Sequence, residues 1–283
     1  MLEQAIYKHL LQCSELAPYL TEYAEKPAVF FQKAPPDTDL LWQNGAQYGR
    51  IVFAIDAEGD PARAVGGRLF VDIFCEVPEL PEQIVREKIN GYFFTENGCT
   101  MAAQWEDSRY FTEQGDPKVN GVTLTFSLLA FPLLTTENPD VIARFNDWTT
   151  QNFPHLSVIG LDGLPEVWKP AGKSAGIYWR VTSVAPAEWI PDTWQTIWRT
   201  AILQGHIFAQ DVSAASVLAH EMIFALDRAK HLVKSGETQI IIRRTRVDNS
   251  ADALHTGQIT VDATYAQIKH PPQADTLRHI HFK

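Results

Sequence analysis

The chain has 283 residues with 24 Lys and Arg against 34 Asp and Glu, a formal charge of −10, and 45% hydrophobic residues. That length holds one large domain or two of about 140 residues. The acidic balance disfavours broad phosphate binding to DNA or RNA, and no apolar run reaches the length of a transmembrane helix. Cys13, Cys75 and Cys99 are too few and too scattered for a disulfide framework or a tetrahedral metal site, so a reducing compartment is expected. The start, MLEQAIYKHLLQCSE, lacks a basic region followed by an apolar core, so the expectation is a cytoplasmic product without a signal peptide.

In chain order, Leu2 to Glu22 has the apolar spacing of one or two helices, with Ser14 placed to cap the second. Ala28 to Gln32 is a short apolar run, and Ala34-Pro35-Pro36 opens an irregular connection. Arg50 to Asp56 and Gly67 to Glu76 are expected to pair as a hairpin around Glu58-Gly59-Asp60-Pro61. Pro81 begins a helix that Asn90-Gly91 ends. Thr100 to Trp105 and Gly121 to Phe131 supply two more strands, separated by Gln114-Gly115-Asp116-Pro117. In the second of them Val122, Leu124, Phe126 and Leu128 alternate with polar residues, the period of a strand buried on one face.

Past a junction at Phe131 to Pro139, a helix is expected over Asp140 to Phe153 and a strand over His155 to Leu161. Pro165 to Lys173 looks like a loop. Strands follow at Gly176 to Val184 and Thr196 to Gln210, then a helix at Ser213 to Lys230 capped by Ser213 or Ser216, with a stripe of Val217, Met222, Ile223, Leu226 and Ala229. Glu237 to Arg246 and His255 to Ile268 are the last strands, before a tail at Pro271 to Lys283.

One passage occurs twice: Leu69 to Glu76 is LFVDIFCE and Leu203 to Gln210 is LQGHIFAQ, aligning Ile73-Phe74 with Ile207-Phe208. The order of elements around it repeats too. The expected fold is therefore α+β, in two similar domains at 1–132 and 137–270 with a C-terminal arm at 271–283. Each domain is expected to be an antiparallel or mixed sheet with two helices on one face.

Chemical signatures are sparse. His220-Glu221 begins a zinc-hydrolase pattern, but Phe224 stands where the second histidine belongs. His279 and His281 lie in the tail. Arg243, Arg244 and Arg246 end an apolar strand and are expected in solvent. Asp72 and Glu76 share one face of their strand, a weak acidic site for a hard cation or acid/base work, with Asp56 and Asp60 nearby and Trp105 or Tyr110 as neighbours. Cys75 has the character of a small buried residue. Loop tryptophans, Trp42, Trp168 and Trp189 among them, are candidate contact surfaces, or else roofs over their own domains.

The first half resembles the phage tail-terminator and tail-completion (head-tail joining) proteins. The features are an opening helix ending LAPYL, a strand followed by Ala34-Pro35-Pro36, an irregular stretch to Gln47-Tyr48-Gly49-Arg50, the RIVFAID strand, Gly59-Asp60-Pro61, and Gly67 through Ile73. The resemblance spans Met1 to Pro132; the second half repeats the plan without those motifs. It implies a structural, non-catalytic virion or prophage protein, without cofactor, that closes the tail tube or joins it to the head as a ring. Its partners would be itself, as three two-domain subunits in a pseudohexamer, and tail-tube or connector proteins, with no membrane and no sequence-specific nucleic acid. The alternative is a bacterial protein or enzyme with a small-molecule or metal site between the domains.

Overall fold

A computed structural model describes residues 2–43, 48–58, 66–96, 99–112, 120–136, 139–161, 164–172, 174–233 and 238–268. Gly59-Asp60-Pro61, Gln114 to Pro117 and the tail with His279 and His281 lie outside the described residues. The fold is α+β, with strands in two mixed sheets and one two-stranded antiparallel ribbon, and four α-helices, among the described residues. Two compact units divide it: Met1–Leu133 with Ile159–Ser174, and Leu134–Val158 with Ala175–Lys283.

In the first unit, α1 (Leu2–Leu11) buries Ala5, Ile6 and Leu10 on one face, with Glu3 in its first turn and Lys8 and His9 in its last, as the helix dipole favours. No second α-helix follows at Ser14. A 3-10 turn at Ala17–Tyr19 holds Pro18, which has no N–H to continue a ladder, and Leu20 is already extended. A small ribbon, β1 (Glu22–Tyr23) with β2 (Lys26–Pro27), leads to β3 (Val29–Phe31). β4 (Arg50–Glu58) and β5 (Gly66–Cys75) form the expected antiparallel pair. Next come α2 (Glu79–Ile89), β6 (Phe93–Glu96), β7 (Cys99–Thr112) and β8 (Asn120–Ala130).

The chain then passes through α3 (Val141–Asn152) and β9 (Leu156–Val158) of the second unit and returns to the first as β10 (Val167–Trp168), paired with β6. This short strand replaces the loop expected there. The first sheet runs β10-β6-β7-β8-β5-β4-β3, and only β3 and β4 are parallel. Alternate residues Val122, Leu124, Phe126 and Leu128 turn into one core with Ile6 and Leu10 of α1 and Val85 and Ile89 of α2.

The second unit adds β11 (Ala175–Pro186), β12 (Thr196–Phe208), α4 (Val212–Ala229), β13 (His231–Leu232), β14 (Ile240–Val247) and β15 (Ile259–Ile268). Asp140 caps α3 by accepting from Ala143 N at 3.0 Å, and Asp211, not Ser213 or Ser216, caps α4 by accepting from Ala214 N at 2.8 Å. The stripe α4 buries is Ala215, Leu218, Ala219, Met222 and Leu226. Val217 and Ala229 of the expected stripe stay exposed, because the helix faces its sheet through the neighbouring row.

The second sheet runs β13-β14-β15-β12-β11-β9, and only β9 and β11 are parallel. Matched from the parallel edge, β3-β4-β5-β8-β7-β6 and β9-β11-β12-β15-β14-β13 follow the same directions and the same chain order. Register agrees across three strands: Val29 faces Ile51, which faces Ile73, and Val158 faces Ile177, which faces Ile207. A register shift interrupts β7 between Trp105 and Asp107 and β14 between Ile242 and Arg244. β10 has no counterpart in the second sheet, and β11 carries a further shift between Val181 and Ser183 that β4 lacks.

Candidate interaction sites

Two of the three candidate tryptophans are roofs of their own unit. Trp42 is 5% exposed, set edge-on to Tyr23 and Phe30, and its indole N–H donates to Pro36 O at 3.1 Å. Trp168 on β10 is buried against Phe93 at 5.2 Å and donates to Ser174 Oγ. Trp189 differs. It lies in the connection between β11 and β12 and is 88% exposed, and Trp194 in the same connection is 79% exposed. The proline-rich residues 185–195 make this an arm carrying Glu188 and Asp192 and no Lys or Arg. Asp192 accepts from Trp198 N at 2.8 Å and Thr193 Oγ1 accepts from Thr196 N at 3.0 Å, so the arm's base is held by its own side chains. Its inner side overhangs a cleft of about 540 Å³ on the outer face of the sheet, bounded by Ile190, Ile202, Arg243 and Arg244.

Asp72 and Glu76 do not share a strand face. β5 ends at Cys75, leaving Glu76 exposed in a bend, while Asp72 accepts from Thr123 Oγ1 at 2.6 Å on the neighbouring strand. Asp72 instead lines a shallow cleft with Arg50, whose guanidinium lies 4.8 Å over the Phe74 ring and 3.3 Å from Asp37. Cys75 is buried, and that burial raises its thiol pKa, with Glu79 and Glu76 adding to the rise against a backbone hydrogen bond from Val77. That is the setting of a structural thiol rather than a nucleophile. His220 bonds back to Ser216 O on the exposed side of α4, and Arg243, Arg244 and Arg246 are exposed on β14. Among the described residues no group of three His, Cys, Asp or Glu could hold a metal, and no helix is long and apolar enough to cross a membrane.

A basic aromatic pocket of about 510 Å³ lies in the first unit, where the end of α2 meets β7 and the segment after β10. Arg86 stacks over Trp105 at 5.0 Å and Lys169 over Tyr92 at 4.6 Å; Lys88 reaches Glu15 at 2.9 Å. Glu82 anchors this side: it is 5% exposed, accepts from Ser108 Oγ at 2.8 Å, and lies 3.7 Å from Arg86. Burial lowers the pKa of Lys169, with Lys88 adding to the fall and Glu87 opposing it. Cations in a helix's last turn look like ordinary dipole partners in a sequence, and Lys169 comes from a distant segment, so spacing gave no signal for the cluster.

No protein-family model and no curated protein matches the chain. Among solved structures, a chain described as "Virion of native gene transfer agent (GTA) particle" is similar at a TM-score of 0.35 and 12% identity, over 45% of this chain and 92% of that one. A likeness of that size does not fix a fold.

Proposed function

We propose that the chain is a structural virion or prophage protein of the tail-terminator kind, made of two copies of one α+β domain, that closes a tail tube or joins it to a head as a ring of three subunits. The observation that carries the duplication is the shared strand order, direction and register of the two sheets. Helices also occupy the same places, α1 and α3 ahead of the parallel edge strand, α2 and α4 after the hairpin. Unrelated sheets match in one such respect by chance; order, direction, register and helix placement together favour common descent.

A duplicated protomer retains the means to assemble when both halves keep contact surfaces at equivalent places. The approach to the second helix is apolar and exposed in each unit: Val77 and Leu80 at 59% and 52% in the first, Val212 at 75% in the second. The resemblance of residues 1–132 to tail-terminator proteins supplies the setting, a virion, and the partners, tail-tube or connector proteins.

Negative-stain imaging of the full chain, alone and with polymerised tail-tube protein of the same virion, tests the reading. Closed rings, and rings seated on tube ends, are expected. Dispersed single particles with and without tube would overturn it.

A further inference from the structure

We propose that residues 243–247 of β14 in one copy pair antiparallel with residues 54–58 of β4 in the next copy, so that the second sheet of one chain continues into the first sheet of its neighbour. This deepens the ring reading and rests on it. Both stretches are strands with one uncovered edge. β3 reaches only residues 51–53 of β4, and β13 reaches only residues 240–241 of β14. Across those edges Ile51 N donates to Ala28 O and Ile242 N to Lys230 O. Strand alternation then aims the backbone groups of Ile55 and Ala57 outward and, past the register shift between Ile242 and Arg244, those of Thr245 and Val247. Among the described residues nothing bonds them on that side. Such a row of open donors and acceptors is a template for another strand.

The two edges are stepped in complementary ways. In the shared strand plan β4 and β14 run in opposite directions, so their uncovered halves lie at opposite ends of the sheet. Set side by side, they leave β13 beyond the Glu58 end of β4 and β3 beyond the Val247 end of β14. The resulting offset is the stagger that a sheet needs in order to close on itself.

Side chains fix the register. With Ile55 opposite Val247, the two residues that pack on the cores of their own units meet on the inner face. The same register sets Asp56 opposite Arg246 and Glu58 opposite Arg244 on the outer face. Within their own sheets Asp56 faces Arg68 and Arg244 faces Asp262. The joined rows therefore read Arg68, Asp56, Arg246 and Glu58, Arg244, Asp262, alternating in sign. Among the described residues no ion pair engages Asp56, Glu58, Arg244 or Arg246. Like charges oppose β14 meeting β14 or β4 meeting β4, so the contact is head-to-tail and propagates until the ring closes. Other edges lack this match: residues 178–186 of β11 carry Arg180 and no carboxylate, and Asp107 of β7 is already 2.7 Å from Arg109.

Sedimentation velocity of the full chain over a concentration series reads this out. Asp56→Arg with Glu58→Arg, and separately Arg244→Glu with Arg246→Glu, should each raise the dissociation constant about 10-fold or more. All four changes in one chain should recover part of the loss. Ala57→Pro removes an N–H aimed at the open edge, a place where a strand tolerates proline, so it should weaken assembly while the urea midpoint stays put. If wild-type chain assembles and the charge reversals and Ala57→Pro assemble equally well, the edge pairing is overturned while the ring stands. Reversals that weaken assembly on either side with no recovery in combination would overturn the register. Wild-type chain that is monomeric throughout overturns the ring reading itself, and this contact with it.

Discussion

Trp179 lies across Gly205 in the second sheet, where the first sheet pairs Phe53 with Val71. Both aromatic rings are essentially out of water. A Cβ on Gly205 would stand 2.6 Å from the Trp179 ring, so the larger ring requires the missing side chain. The two pairs fill comparable space in different ways, as expected of one core position that changed on both sides together. Gly205→Val should therefore cost about 3 kcal/mol through overpacking. Adding Trp179→Phe, which restores the first unit's pair, should recover most of it in urea denaturation. Recovery falls short by about 1 kcal/mol because the Trp179 N–H donated to Thr149 Oγ1 is lost. At the same scale His9 sets a pH dependence. Burial pulls its pKa below the ordinary 6.5, the charges of Lys88 and Lys169 add to the fall, and the hydrogen bond from Nε2 to Lys88 O opposes it. Protonation then favours the unfolded chain, so stability should fall as pH drops below 6.5 through the lower folded value. His9→Gln should flatten that part of the stability–pH curve. An unchanged curve would place the titration elsewhere.

Among the elements, those with a strong period were legible in the sequence. The strands around Val122–Leu128 and Ile259–Tyr265 bury the alternate residues their pattern named, and Asn90-Gly91 does end α2. Short edge elements were not legible. β6, β10 and β13 have two to four residues each, too few for a period, and β10 is flanked by prolines that look like loop. Trp42 and Trp168 looked like loop aromatics because the rings that bury them come from Tyr23, Phe30 and Phe93, on other segments. The α4 cap was misplaced by two residues or more because Asp and Ser are equally good caps, and only the fold decides which one precedes the first turn. Asp211→Ala should accordingly destabilise the second unit by about 1 kcal/mol, and Ser213→Ala by less than about 0.5. Gln258 offers a sharper test. Its side-chain amide accepts from Ile207 N at 2.8 Å and donates to Ile207 O at 2.9 Å, completing the sheet edge where β15 has not yet begun. In the first sheet the equivalent Ile73 is paired directly with Val122. Gln258→Ala strands two buried backbone groups and should cost about 2–4 kcal/mol, whereas Gln258→Glu keeps only the accepting half.

For the whole molecule, two units with one strand plan suit a subunit that gives each copy of itself two equivalent places in a ring. Native mass spectrometry of the purified full chain tests the central claim most directly. Three chains of 31.9 kDa, about 96 kDa in all, are expected as the dominant assembled species. A single 31.9 kDa species at every concentration would contradict a self-assembling ring, and a closed species of six chains would contradict the assignment of two ring positions to each.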